Sequence, residues 1–314
     1  MIHVQDLTKL YGTAQALKGI SFDVQRGEVI GFLGPNGAGK STTMKILTGY
    51  LMPTSGRASI DGLDVVEHSL EVRRRIGYLP ESTPLYTEMR VDDYLRFAAE
   101  IRGVLGSQVR SKVERVIGLC GLSKVTGKNI LELSKGYRQR VGLAQAMVHE
   151  PDVLILDEPT SGLDPNQIVE VRELIKELSR SHTVILSTHY LQEVEASCSR
   201  VIIVRQGEIV ANDTRDSLVA RLPAGAVVAR IKGPHDAVKR QLQELLPGRS
   251  VQEIAKDGDH VTWRLDVGPT GDGKVLEAIA ELVAKNKWAL SELVRERATL
   301  EDVFRALTKE VGRA

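Results

Sequence analysis

Only two cysteines occur in 314 residues, Cys120 and Cys198, and they stand far apart in no metal or redox spacing. That excludes a disulfide framework and leads us to expect reduced thiols in a cytosolic compartment. Long apolar runs are also missing. The strongest, Val153 to Leu156 and Val201 to Val204, are strand length, far short of the roughly 18 to 20 residues of a membrane helix. The opening Met1-Ile2-His3-Val4-Gln5-Asp6 lacks the basic-then-apolar form of a signal peptide. Membrane association is therefore expected to come through a partner. Charge of one sign is absent too: 42 Lys+Arg against 41 Asp+Glu leave a net charge of +1, which gives no global pull toward nucleic acid. No internal repeat or low-complexity tract is evident.

What remains is an ordinary globular composition, 42% hydrophobic and 26% charged, long enough for one large domain or two smaller ones. Strand-like and helical patterns alternate over the first two-thirds, which argues for an α/β sheet. Val29 to Leu33, Val153 to Leu156 and Thr183 to Leu186 are short and apolar, as strands buried on both faces must be. From Val91 to Val148 the period becomes helical. Val91, Tyr94, Leu95, Ala98 and Ile101 share one face, and so do Val109, Val113, Val116, Ile117 and Cys120. Cys120 is thus expected to be a packed core thiol. A boundary is expected at Leu222-Pro223-Ala224-Gly225. Beyond it the order β-α-β-β-α-β is that of a ferredoxin-like unit, with Trp263 and Trp288 expected in its core.

Gly34-Pro35-Asn36-Gly37-Ala38-Gly39-Lys40-Ser41-Thr42 follows a buried strand and opens a helix, the context that a phosphate-binding loop requires. Glycines let the backbone wrap so that its N–H groups face phosphates, and the helix N-terminus adds partial positive charge. Lys40 would bridge β- and γ-phosphates and the Ser41 hydroxyl would ligate Mg²⁺. A random chain of this length matches the pattern on the order of one time in a hundred. Asp157 and Glu158 end an apolar strand, at the edge where ligands collect in open α/β sheets. Asp157 suits the surroundings of Mg²⁺. Glu158 suits a base that orients the attacking water, and His189 at the next strand end suits a donor to the γ-phosphate. Ser134, in Leu133-Ser134-Lys135-Gly136-Tyr137, is placed to cap a helix, where a hydroxyl and a bare glycine backbone make a second phosphate site. Tyr11 offers a ring face for adenine.

Together these motifs resemble an ABC ATPase over roughly Met1 to Ser217. Tyr11 matches the adenine-stacking position, Gly34 to Thr42 the Walker A loop, and Val153 to Glu158 the Walker B strand. Ser161 to Asp164 matches the D-loop, His189 the switch histidine and Leu133 to Tyr137 the signature. The resemblance implies a P-loop α/β fold with a mixed sheet core and a helical subdomain at about residues 90–150. The ATPase domain would span residues 1–222 and a C-terminal ferredoxin-like α+β domain residues 223–314. It implies ATP and Mg²⁺ as cofactors and a head-to-tail homodimer or heterodimer of such subunits. The Walker A loop of one subunit would face Ser134 and Gly136 of the other. Integral membrane permease subunits are the implied partners, which places the chain on the cytoplasmic face of the membrane.

The chain departs from the family pattern twice. Lys135 stands where the signature usually has glycine; it would add positive charge near bound nucleotide or, as we expect, face solvent. Glu81, in Gly77-Tyr78-Leu79-Pro80-Glu81, replaces the usual glutamine. A carboxylate still ligates Mg²⁺ but has no amide donor. Both departures resemble ABC-2-type exporters that include gliding-motility subunits, as does Thr299-Leu300-Glu301-Asp302-Val303-Phe304. Thr299 and Asp302 there form a capping-box-like pair. The implied function is an ATP-hydrolysing subunit that energises a separate exporter. The alternative is an ABC ATPase acting as a mechanical or regulatory module in the cell envelope.

Overall fold

The computed structural model describes residues 1–220, 226–267, 273–296 and 299–308. Two compact units result, Met1–Arg215 and a second that begins at Asp216. The boundary expected at Leu222 to Gly225 lies outside the described residues.

The first unit contains two sheets. β1 (Ile2–Tyr11), β2 (Ala14–Val24), β4 (Ser55–Ile60) and β5 (Leu63–Asp64) form an antiparallel sheet in the order β2-β1-β4-β5. β3 (Val29–Leu33), β6 (Ile76–Leu79), β7 (Val153–Asp157), β8 (Thr183–Thr188), β9 (Arg200–Arg205) and β10 (Glu208–Thr214) form the second, ordered β10-β9-β3-β8-β7-β6. All neighbours in that sheet are parallel except β9 and β10. Every residue of β3, β7 and β8 is buried, the burial that their unbroken apolar runs demand. Helix α1 (Lys40–Leu47) contributes Met44, Ile46 and Leu47 to a core shared with both sheets through Leu7, Phe22, Phe32 and Ile155. Each such side chain contributes roughly 1.5–3 kcal/mol by leaving water.

α2 (Ser69–Arg75) precedes β6, and α3 (Val91–Ile101), α4 (Gly106–Leu119) and α5 (Lys135–Met147) follow it before the chain returns as β7. The expected helical insert is therefore present. It is spliced between two strands that pair directly, Ile76 with Val153 through Leu79 with Leu156. Because the pair is parallel, the insert leaves at one edge of the sheet and re-enters at the other. Cys120 is fully buried, as expected, and burial pushes its thiol up to about 12. Ile101 departs from expectation: it is 67% exposed at the end of α3. α6 (Pro165–Leu178) and α7 (Leu191–Ser197) flank β8.

After α8 (Arg215–Ala220), the second unit runs β11 (Ala226–Lys232), α9 (His235–Leu245), β12 (Val251–Asp257), β13 (His260–Asp266), α10 (Gly273–Lys285), β14 (Ala289–Glu296) and α11 (Leu300–Thr308). Its antiparallel sheet has the order β12-β13-β11-β14, the pairing of a ferredoxin-like fold. Val238 and Leu242 of α9 and Ile279 and Val283 of α10 share one core with Trp263, so both helices cover the same face; Trp288 packs against that core. The capping box at α11 forms reciprocally. Thr299 N donates to Asp302 Oδ2 at 3.0 Å, and Asp302 N donates to Thr299 Oγ1 at 3.2 Å.

Candidate active site

Four parallel strands, β3, β8, β7 and β6, end at the same edge of the large sheet. Onto that edge the chain delivers Gly34, His189, Glu158 and Glu81 in turn. A cleft of about 650 Å³ lies there, lined by the loop from Asn36 to Thr42 together with Glu81, Glu158 and His189.

The loop geometry explains its glycines. A Cβ at Gly34 would lie 2.4 Å from the carbonyl oxygen of Val204, so no larger residue fits beside β9. Gly39 has φ +108° and a Cβ there would meet Leu17 and the Ala16 carbonyl below 3 Å, so it needs glycine on both counts. Lys40 follows as the first residue of α1, only 5% exposed. Its Nζ donates to Gly34 O at 2.8 Å and lies 3.4 Å from Glu158 Oε1. Pro35 contributes its carbonyl, 3.4 Å from the same Nζ and 3.1 Å from Ala38 N. Asn36, Gly37, Ser41 and Thr42 line the cleft itself.

Asp157 is 2% exposed and accepts a hydrogen bond from Ser187 Oγ at 2.7 Å. Burial pushes its carboxyl up; hydrogen bonds from Ser187 and Ser41 oppose that, while the charges of Glu158 and Glu81 add to it. The Asp157 carboxyl therefore feels the charges of Glu158 and Glu81 as well as the hydroxyl of Ser41. Ser41, Asp157 and Glu81 thus form an oxygen donor set of the hard kind that Mg²⁺ takes. Among the described residues no group of three or more His, Cys, Asp or Glu could enclose a metal. So sparse a set fits a cation that keeps water and takes phosphate oxygens.

Glu158 adopts φ +50°, a left-handed conformation that costs a non-glycine residue about 1–2 kcal/mol. Its N–H donates to Ser187 O at 2.8 Å, which anchors the turn. The reversal at the end of β7 brings its carboxylate back into the cleft, where Oε2 stands 2.7 Å from His189 Nδ1. The His189 ring lies against Tyr190, with centroids 3.9 Å apart. Lys40, Glu158 and His189, expected together on the sequence alone, are together.

Other expected residues lie elsewhere. Tyr11 stands at the β1–β2 turn, 48% exposed with Lys9 Nζ over its ring at 5.5 Å, and is not among the residues lining the cleft. Ser134 caps α5 as expected, its Oγ accepting from Tyr137 N at 3.4 Å. Neither Ser134 nor Gly136 lines this cleft. Gly136 is buried, and a Cβ there would strike Gln167 of α6 at 2.6 Å. Lys135 is exposed, and its ammonium lies across Gly162 in the segment matched to the D-loop. Ser187 and Tyr190 belong to the site as well, although nothing in the sequence marked a part for either. Neither carries a motif of its own, because a serine that bonds a buried carboxylate and a ring that supports a histidine are set by strand register.

A second groove in the first unit, of about 580 Å³, runs between α2 and α3 and is lined by Leu70, Arg74, Tyr86, Phe97, Ile101 and Arg102. Leu70, Tyr86 and Ile101 are 70%, 59% and 67% exposed. Exposed apolar side chains so grouped mark interaction surfaces. No helix among the described residues is long and apolar enough to cross a membrane.

Comparison with known proteins agrees with these motifs. The family described as "ABC transporter" matches residues 17–161. The chain is 40% identical over 222 residues to the Escherichia coli (strain K12) protein named "Probable multidrug ABC transporter ATP-binding protein YbhF", covering 70% of this chain but only 38% of that protein. It therefore spans well under half of that relative. With "Linearmycin resistance ATP-binding protein LnrL" of Bacillus subtilis (strain 168) it is 31% identical over 312 residues, 98% of each chain. Among solved structures, "Dimeric Structure of MJ0796, a Bacterial ABC Transporter Cassette" superposes with a TM-score of 0.63 at 25% identity, covering 68% of this chain and 98% of that one.

Proposed function

The chain is a member of the ABC transporter family of ATP-binding proteins, and on that premise we propose that it binds and hydrolyses ATP to drive a separate membrane permease. The observation that carries this reading is the meeting of Lys40, Glu158 and His189 beside the phosphate loop. Gly34 to Thr42 cradle the triphosphate, with Lys40 against the β- and γ-phosphates. Ser41, Asp157 and Glu81 would hold Mg²⁺, which when bound would neutralise phosphate charge. Glu158 accepts a hydrogen bond from water and orients it at the γ-phosphorus. As the oxygen–phosphorus bond forms, the bond to the β-phosphate oxygen breaks and ADP leaves. As an imidazolium, His189 donates from Nδ1 to the Glu158 carboxylate and from Nε2 toward the γ-phosphate oxygens.

Ser134 and Gly136 act on the nucleotide of a second subunit, either another copy or a related chain. Two features support this: they lie outside the cleft of their own chain, and the dimeric cassette is among the similar structures. Tyr11 is exposed as a stacking ring must be before it meets adenine. The groove of Leu70, Tyr86, Phe97 and Ile101, flanked by Arg74 and Arg102, receives an apolar helix with acidic ends from the permease. That docking holds the subunit on the cytoplasmic face of the membrane, and the likeness to a linearmycin resistance protein favours export.

The test is Glu158→Gln in the full chain assembled with its membrane partner. Turnover falls about 10²- to 10⁴-fold while ATP still binds, read by ATPase assay and nucleotide titration. Turnover equal to wild type rejects Glu158 as the base.

A further inference from the structure

Behind the cleft, on the side away from the phosphate loop, lies a carboxylate that the proposed chemistry does not use. Glu193 sits on α7 and is 1% exposed. Its Oε1 accepts a hydrogen bond from the hydroxyl of Thr160, itself 2% exposed, and its backbone N–H donates to Tyr190 O at 3.1 Å. Thr160 stands two residues after Glu158, and Thr188 immediately precedes His189. We propose that Glu193 is a positioning residue for hydrolysis, clamping the segment that carries Glu158 to the strand end that carries His189.

The chemistry favours this over a role in packing alone. A side chain buried here for its volume needs no charge, and burial of a carboxyl without partners is costly. Glu193 nonetheless lies here with the Thr160 hydroxyl on Oε1 and no hydrogen-bond partner on Oε2, while the Thr160 and Thr188 hydroxyls and the charge of Arg172 oppose the upward push that burial gives its carboxyl. The charge of Glu158 reaches it as well, so the two acidic groups lie on either side of one thin wall. That wall consists of residues 158–160 and 187–189. The Glu158 to His189 bond of 2.7 Å and the Glu158 N to Ser187 O bond of 2.8 Å tie it in front. The Thr160 to Glu193 bond ties it behind, because Glu193 N donates to Tyr190 O at 3.1 Å. Tyr190, whose ring supports His189, is fixed in turn by its N–H to Thr188 Oγ1 at 3.0 Å. The left-handed backbone of Glu158 adds a reason for a second tie, because a strained turn persists only when its surroundings over-determine it.

The inference rests on the reading of Glu158 as the base. In the full chain assembled with its membrane partner, Glu193→Leu keeps roughly the volume and removes the acceptor that Thr160 bonds. The expected result is a kcat about 10- to 100-fold lower, as a misplaced catalytic group gives, with KM for ATP within about twofold of wild type because the phosphate loop is untouched. Thr160→Val, which removes the hydroxyl at one end, shows the same split. The double variant is no slower than Glu193→Leu, because both break one clamp. A wild-type kcat in both single variants overturns the clamp. So does a fall in nucleotide affinity and melting temperature that matches the fall in kcat in both, which marks a structural role. If Glu193→Leu does not fold, Thr160→Val decides by the same criteria. A wild-type rate in Glu158→Gln instead overturns the reading on which the clamp rests, so the two failures are told apart.

Discussion

Oε2 of Glu158 and Nδ1 of His189 stand 2.7 Å apart across 31 positions of sequence. The carboxylate is 6% exposed and the imidazole 36%, so the pair faces the cleft through the histidine. Removal of that ring leaves Lys40, at 3.4 Å, as the ion-pair partner of the Glu158 carboxylate among the described residues. His189→Ala is expected to lower kcat about 10²- to 10³-fold, the loss typical of a donor to developing phosphoryl charge, while ATP affinity changes little. Steady-state ATPase kinetics beside nucleotide titration check this. A variant that loses affinity but keeps kcat would place His189 in binding.

Gly34 and Gly37 look interchangeable in a motif but differ in surroundings. An added Cβ at Gly34 meets the Val204 carbonyl at 2.4 Å, whereas at Gly37 it meets nothing within 4 Å despite φ +79°. Gly37→Ala is expected to cost about 1–2 kcal/mol of local strain. Gly34→Ala must displace β9, at a cost of about 1–3 kcal/mol or more, and lose nucleotide binding. Thermal unfolding and ATP titration of both proteins test the order; the reverse order contradicts the packing argument.

Glu81 is exposed on the cleft and its charge reaches Asp157. Glu81→Gln removes one negative charge and one hard ligand. Metal-free ATP is then expected to bind more tightly, and half-maximal activity to need more Mg²⁺. Titration of ATPase activity with Mg²⁺ in the assembled complex checks the direction, and superimposable curves count against it.

His149, just after α5, has Nε2 3.0 Å from Ile76 O. Burial first, then the charge of Arg102, pushes it down from 6.5 to about 4. The unfolded chain therefore binds this proton more readily than the folded one. Its contribution is fully present above pH 6.5 and is lost as pH falls from there toward 4. About 1–3 kcal/mol of unfolding free energy is expected to disappear over that window. His149→Gln flattens that part of the profile in denaturant titrations at stepped pH; an unchanged slope rules His149 out as its source.

The sequence was most legible where chemistry imposes a spacing. The loop from Gly34 to Lys40, the strand ending in Asp157 and Glu158, and the strand before His189 all follow motifs that phosphate binding or a parallel sheet dictates. The order of the second unit was legible too, since its apolar periods switch cleanly between strand and helix. The separate antiparallel sheet of β1, β2, β4 and β5 was not, because β1 and β2 carry register shifts that break the period of two. Ile101 misled for another reason: helical periodicity shows that a face is apolar, not whether that face is covered by its own chain or left open in a groove. Glu193 was invisible as well. A glutamate on a short helix reads as solvated surface until the strands around it are placed.

The splice between β6 and β7 has a geometric consequence. The helical segment departs beside the cleft, just past Leu79, and returns to the sheet at Val153, on the opposite edge. One of its two tethers thus ends next to Glu81, and the other lies about 13–17 Å away along the strands, the length of four or five extended residues. The segment therefore meets the cleft by one end only: its near tether continues into Glu81, whereas the strand that bears Asp157 is paired on both sides, with β6 and β8.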